Sequence, residues 1–261
     1  MRTARGLWRP GLGHRCAGSK AFCGEAACRS REDNALKRNL EPRPAGRAPA
    51  CFLEIALTGS VPSAPEFGEV LPIEPSPAVV DFLARRRSAS AMSLAAPGPD
   101  DAQLADLLRL AARVPDHGKL APWRFVILRG PAKDVFAERI TALADSQANP
   151  AKANAALRKL TRPPVAVAVI SRYIPGEIPE WEQRQSASAV CQQMLLAAAA
   201  LGWGANWITD WYAYDPYAQA ILGLVDDERV AGFLYLGTST EAPQERARPD
   251  VAAITTEWSV D

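Results

Sequence analysis

Imidazole is scarce in this chain: its 261 residues contain 2 histidines, His14 and His117. Cysteine is nearly as scarce where it could matter. Cys16, Cys23, Cys28 and Cys51 crowd the N-terminal stretch, and Cys191 alone lies beyond it. Their irregular spacing gives neither the paired short intervals of a zinc site nor a disulfide framework. Cys191 sits in an apolar stretch, reads as an inert packing residue, and suits a reducing compartment. There is no G-x-S-x-G elbow, no Walker loop, and no G-x-G-x-x-G between a strand and a helix. Hydrolytic triads and metal catalysis therefore lack their residues, and we expect no metal site. A chain so short of nucleophiles and bases borrows its chemistry from a cofactor if it is an enzyme.

Charge of one sign is also missing. The net charge is +1, so nothing marks the whole chain for nucleic acid or an anionic membrane. No apolar run reaches the ~18 residues of a membrane span, and the N-terminus lacks the layout of a secretory signal. The near-neutral average hides an asymmetry, because the first fifty residues carry 11 basic against 4 acidic side chains. This Arg-rich start resembles an organellar transit peptide but has no clear amphipathic helix. We read it as an unstructured tail or an overlong reading frame. Prolines at 42, 44, 49, 62, 65, 72 and 75 break any periodicity, and the apolar patch 51–57 amounts to one turn at most. The expected division is an N-terminal extension over 1–74 and a single cytoplasmic domain over 75–261.

Within that domain the elements can be read from local signals. Ser76-Pro77 places an N-cap and a first-turn proline ahead of the stripe Val79, Val80, Phe82 and Leu83. Asp100 with Gln103 forms a capping box for a second helix, whose Leu104, Leu107, Leu108 and Ala111 share a face and which Pro115 ends. Trp123 to Leu128 reads as a strand, and 132–160 as helix with a break at Asn149-Pro150. The β-branched run Val165 to Ile170 reads as a strand covered on both faces. A long helix begins near Trp181 and stops at Gly202, a glycine placed for a C′ position. Its stretch from Ala189 to Leu201 is apolar nearly all round, so it lies at a domain centre or against a partner subunit. Strands at 205–209 and 230–237 flank a short helix at 216–222. Four strands among about six helices predict an α+β domain around a central sheet.

Two clusters could hold an anion. Arg85-Arg86-Arg87-Ser88 offers guanidinium forks and a hydroxyl, apt for a phosphate; equally, it could be a solvated basic helix end. The loop Arg113-Val114-Pro115-Asp116-His117-Gly118-Lys119, running into Pro122-Trp123-Arg124-Phe125, concentrates donors between two prolines. It reads as a ligand loop rather than a plain connection. Trp123 and Trp181 are expected as core or interface anchors, and Trp211 at a substrate opening.

This ordered set resembles the nitroreductase family, and within it the YdjA-like branch of small FMN reductases. The motifs are Arg86-Arg87-Ser88, the P-D-H loop leading into P-W-R-F, Trp181-Glu182-Gln183, Gly202-Trp203-Gly204, Asn206-Trp207-Ile208-Thr209 and Phe233 to Thr238. The resemblance spans about 75–245. It implies a nitroreductase-like fold, a mostly antiparallel central sheet surrounded by helices, in an intertwined homodimer with flavin at the interface. It also implies an NAD(P)H-dependent oxidoreductase, with FMN as cofactor and NADH or NADPH as donor. The acceptor would be a small molecule such as a nitroaromatic or quinone, reduced by ping-pong hydride transfer through flavin N5. Other flavin chemistry on this scaffold (reductive dehalogenation or flavin cleavage) and a non-catalytic flavin-binding protein are the alternatives.

By the same resemblance, Arg86, Arg87 and Ser88 would grip the flavin phosphate. Arg113 and His117 would reach the flavin, from the opposite subunit, and Trp207, Ile208 and Thr209 would run along its ring. Ala197, Ala198, Ala199, Ala200, Leu201 and Gly202 match a segment assigned to NAD(P). No catalytic side chain is implied, since the flavin carries the chemistry. The sequence departs from the family's usual glycine at Asp210, a carboxylate expected either near the flavin or in solvent.

Overall fold

The computed structural model describes residues 61–260. The tail reading for the preceding residues, the patch 51–57, His14 and the four N-terminal cysteines fall outside them. Residues 61–75 carry neither helix nor strand and are almost wholly exposed.

Five strands form one sheet: β1 (Leu94–Ala95), β2 (Trp123–Arg129), β3 (Val165–Arg172), β4 (Gly204–Ile208) and β5 (Glu228–Ser239). The path runs β1-β5-β3-β2, with β4 also on β5, and every pairing is antiparallel. The two-residue β1 is not visible in the sequence, because so short a pairing leaves no alternation to detect. Among the described residues six helices accompany the sheet: α1 (Pro77–Arg85), α2 (Asp101–Ala111), α3 (Gly130–Ala144), α4 (Pro150–Thr161), α5 (Glu180–Ala200) and α6 (Pro216–Ile221).

The β-branched run in β3 is central for the reason expected. Alternate side chains point to opposite faces of a strand, and here both faces are covered. Ala166, Ala168 and Ile170 join Phe233 and Tyr235 under α3, α4 and α6. Val165, Val167 and Val169 join Leu234 and Leu236 under α2 and α5. The result is three layers with two separate cores, one on each side of the sheet. α5 runs through the domain centre, since Val190, Cys191, Met194, Ala197 and Ala198 are buried within their own chain. Burial raises the Cys191 thiol pKa to about 12, which removes it as a nucleophile at neutral pH.

Local capping follows the sequence closely. The capping box of Asp100 and Gln103 is complete, Asn149 caps α4, and Gly202 takes φ +79° just past α5. Ser76 stands at the N-cap of α1 but makes no side-chain capping bond. That helix also buries none of its residues: Val79, Val80 and Leu83 are all more than half exposed. No helix among the described residues is long and apolar enough to cross a membrane.

β5 carries a bulge. Val169 pairs with Gly232 and Ile170 with Val230, which leaves Ala231 without a partner on β3. Its carbonyl instead accepts a hydrogen bond from Trp207 Nε1 on β4, at 3.2 Å. The indole can lie there only because residue 232 is glycine: a Cβ at that position would stand 1.9 Å from Trp207 Nε1.

Candidate active site

The basic turn Arg86-Arg87-Ser88 is held against the edge of the sheet. Arg86 N–H closes the end of α1 on Phe82 O at 2.9 Å. Three residues on, Ala89 N–H donates to Ala205 O of β4 at 3.0 Å, and Asn206 Nδ2 donates to Ala89 O. By strand alternation the next backbone groups turned to that same edge are those of Trp207. Two adjoining clefts open beside the turn. One, of about 190 Å³, lies between Arg86, Arg87 and Ser88 and the end of α5 at Leu195, Ala199 and Gly202. The other, of about 420 Å³, is lined by Ser90, Ser93 and Asn206 as well as Arg87 and Ser88. The larger falls within the ~300–1,000 Å³ typical of ligand sites.

The C-terminal segment lies along this cleft. Arg87 Nε donates to Gln244 O at 3.0 Å and stands 3.7 Å from Glu245, which also pairs with Arg248. The Arg246 backbone N–H holds the Glu245 carboxyl below its ordinary pKa, helped by Arg248 and Arg87. In the cleft wall Trp203 Nε1 is buried with no hydrogen-bond partner.

The P-D-H loop stands elsewhere. His117 Nδ1 meets Glu182 Oε2 at 2.7 Å in the first turn of α5, and Ser186 Oγ donates to Pro115 O at 2.5 Å. Asp116 accepts from the Leu120 and Ala121 amides at 3.2 and 2.9 Å. Arg113 is exposed just past the end of α2. Glu182 and Ala199 are seventeen residues apart on α5, about 25 Å at the helical rise of ~1.5 Å per residue. Within one chain the two basic clusters therefore occupy opposite ends of the same helix.

The remaining expected residues are not all free to meet a ligand. Trp207 directs its indole to Ala231 rather than outward, so only its backbone faces the open edge. Ile208 packs against the core beneath α3 and α4, whereas Thr209 is exposed. Ala197 and Ala198 are core residues, which leaves Ala199, Ala200, Leu201 and Gly202 as the part of that segment able to meet a ligand. Asp210 does not stand free in solvent: it pairs with Lys159 of α4 at 2.9 Å. Trp211 is no opening residue, since its Nε1 donates to Ala153 O at 3.1 Å and its ring packs edge-on to Tyr212. Trp181 is 70% exposed and is not part of the core. Arg124, counted among the donors of the second cluster, is committed to Glu228 through both Nε and Nη2 at 2.6 Å. The sequence could not reveal these partners, because each pairing joins distant positions.

Comparison with known proteins agrees with this architecture. The Nitroreductase family model matches residues 83–238. The chain is 32% identical to "Putative NAD(P)H nitroreductase YdjA" of Escherichia coli (strain K12) over 178 residues, which are 66% of this chain and 92% of that protein. Among solved structures, a nitroreductase-like family protein from Bacillus cereus superposes with a TM-score of 0.60 at 22% identity. That match covers 71% of this chain and 98% of the other. A nitroreductase from Bacteroides fragilis, crystallised with bound FMN, gives a TM-score of 0.55 at 20% identity, covering 70% of this chain and all of that one.

Proposed function

The chain belongs to the nitroreductase family, in its YdjA-like branch, and from that premise we propose that it is a cytoplasmic FMN enzyme that oxidises NADH or NADPH and reduces a small nitroaromatic or quinone. The observation that carries this reading is the basic turn at the mouth of a cleft whose opposite wall is apolar. Its donor set suits FMN: two guanidinium groups and a hydroxyl for a phosphate monoester, and the unpartnered Trp203 Nε1 as a further donor. Arg86, Arg87 and Ser88 would hold the phosphate, and the backbone of Trp207 to Thr209 the adjoining edge of the ring. When bound, FMN supplies a two-electron relay that takes hydride from NAD(P)H and passes it to the acceptor in a separate half-reaction.

The protein's own contributions are binding, orientation and charge. The cleft faces the C-terminal end of α5, whose dipole disfavours an anion, so the arginines must supply the attraction. For the same reason Ala199, Ala200, Leu201 and Gly202 suit a neutral ring of the dinucleotide better than its pyrophosphate. Arg113 and His117 stand too far along α5 to share a flavin with Arg86 of the same chain, and we assign them to the flavin of a second copy. A homodimer also accounts for the outward apolar side chains of α1. A nine-residue helix is too short to be stable alone, and a partner would cover its stripe.

The test is an absorbance spectrum of the purified protein followed by anaerobic titration with each nucleotide. We expect a flavin spectrum that bleaches with NADH or NADPH and returns with a nitroaromatic or quinone. A colourless protein that gains no flavin band on addition of FMN overturns the reading. Flavin binding without steady nucleotide oxidation makes the protein a flavin carrier instead.

A further inference from the structure

The loop that carries His117 is conformationally unusual. Gly118 has φ +75°, and the non-glycine residues Lys119 and Ala121 have φ +55° and +46°. Side chains adopt that left-handed region at a steric cost, and such strain persists only where surrounding contacts over-determine it. Within the loop Asp116 accepts from the Leu120 and Ala121 amides, and the start of α5 meets it at Pro115 and His117. Ser186 holds Pro115 O, and Gln183 ties down the approach to the helix through Ile174 N–H, Ile174 O and Ile178 O at 2.9–3.0 Å. Glu182 takes His117 Nδ1.

An ionised carboxylate only accepts hydrogen bonds. A 2.7 Å contact to Nδ1 therefore requires the proton to be on that nitrogen. In the neutral ring this leaves Nε2 as an acceptor, and fixing the first nitrogen also fixes the plane of the ring. We propose that Glu182 is the positioning residue for His117: it selects the Nδ1–H tautomer and presents Nε2 as an acceptor to a hydrogen-bond donor of the bound ligand, such as an imide N–H or a sugar hydroxyl of the cofactor. The Trp181-Glu182-Gln183 motif thereby acquires a function. Gln183 anchors the segment, and Glu182 orients the imidazole. The ligand half of this proposal rests on the assignment of His117 to the flavin made above.

The chain has 2 histidines, so ¹⁵N-histidine labelling of the full-length protein, with His14→Asn to remove the other signal, isolates His117. At a pH where the ring is neutral, long-range ¹H–¹⁵N spectra should show Nδ1 protonated and Nε2 bare. Glu182→Ala should shift the ring to the Nε2–H tautomer favoured by free imidazole. Glu182→Gln, whose amide oxygen still accepts, should preserve the original tautomer. In fluorescence titrations with FMN, Glu182→Ala should weaken binding about fivefold, the worth of one neutral hydrogen bond. It should have no further effect in a His117→Ala background, and Glu182→Gln should restore most of the loss. A tautomer unchanged by Glu182→Ala overturns the proposal, even if flavin binding falls. A changed tautomer with FMN affinity intact in His117→Ala upholds the orienting role of Glu182 and instead removes His117 from the flavin site.

Discussion

At the scale of single residues, charged side chains near one another serve different ends. Arg124 and Glu228 form a two-pronged pair beneath the sheet, with Glu228 3% exposed. The pair is structural. The Arg124 hydrogen bonds hold the Glu228 carboxyl below its ordinary pKa of 4.5, with help from the Val225 N–H and the charge of Arg172. An unfolded chain regains the ordinary value, so the stabilisation is complete above about pH 4.5 and is lost as pH falls through the folded-state pKa. Glu228→Gln should cost about 2 kcal/mol near neutrality, and its melting temperature should converge on the wild type's as pH falls below the ordinary carboxyl range and through the folded-state pKa. A gap that stays constant as pH falls below about 4.5 would deny the pair its electrostatic role. Arg86 and Arg87 lie beside the cleft, where Arg87 already has Gln244 O and Glu245 as partners. Arg86→Ala/Arg87→Ala should leave a folded protein that binds FMN about a hundredfold more weakly or worse, from two lost charge-assisted bonds of roughly 1.5–3 kcal/mol each. Unchanged affinity in a fluorescence titration would remove the turn from the site.

At the scale of elements, the bulge in β5 depends on three strands at once. Ala231 loses its place in the β3 ladder, Trp207 of β4 satisfies its carbonyl, and Gly232 makes room for the indole. Gly232→Ala brings a methyl group into a 1.9 Å collision, so Trp207 must leave and Ala231 O loses its donor. Overpacking of this kind costs about 1–3 kcal/mol, and thermal unfolding should show it. In a Trp207→Leu background the same substitution should cost much less, because the clashing ring is gone. An undiminished penalty in that background would place the strain elsewhere. The same indole shows the limits of motif reading: Asn206-Trp207-Ile208-Thr209 marks the correct strand, but the most prominent side chain of the motif supports the sheet.

At the scale of the molecule, the separation of the two basic clusters leads to the strongest prediction. Arg86 and His117 lie near opposite ends of a 21-residue helix. If both serve one flavin, they come from two chains related by a two-fold axis. A dimer mixed from an Arg86→Ala/Arg87→Ala subunit and a His117→Ala subunit should then hold one normal flavin. One site loses the arginines and the histidine together, while the other keeps both. Two impaired sites, one lacking the arginines and the other the histidine, would show that the clusters act within a single chain. Light scattering at assay concentration should find no active monomer, and the interface should exceed ~2,000 Å², as obligate dimers do. The surface left for a partner to cover lies on α1. The apolar face of α5 is enclosed by its own chain, whereas Val79, Val80 and Leu83 of α1 point outward.

The sequence by itself determined what local chemistry can specify. The capping box at Asp100, the prolines and glycine at helix ends, the doubly buried run of β3 and the buried, inert Cys191 were all legible, because each depends on neighbours within a few residues. So was the order of the family's motifs, and with it the α+β fold. Tertiary structure decided which of the named side chains remain available to a ligand. Arg124 is claimed by a partner 104 positions away, Arg87 by one 157 away, Asp210 by Lys159 and Trp211 by Ala153. Such pairings leave no periodic trace along the chain, since their partners come together only when the sheet and its two helical layers assemble. The bulge at Ala231 is hidden for the same reason: one extra residue in a strand is recognised only against the strand beside it.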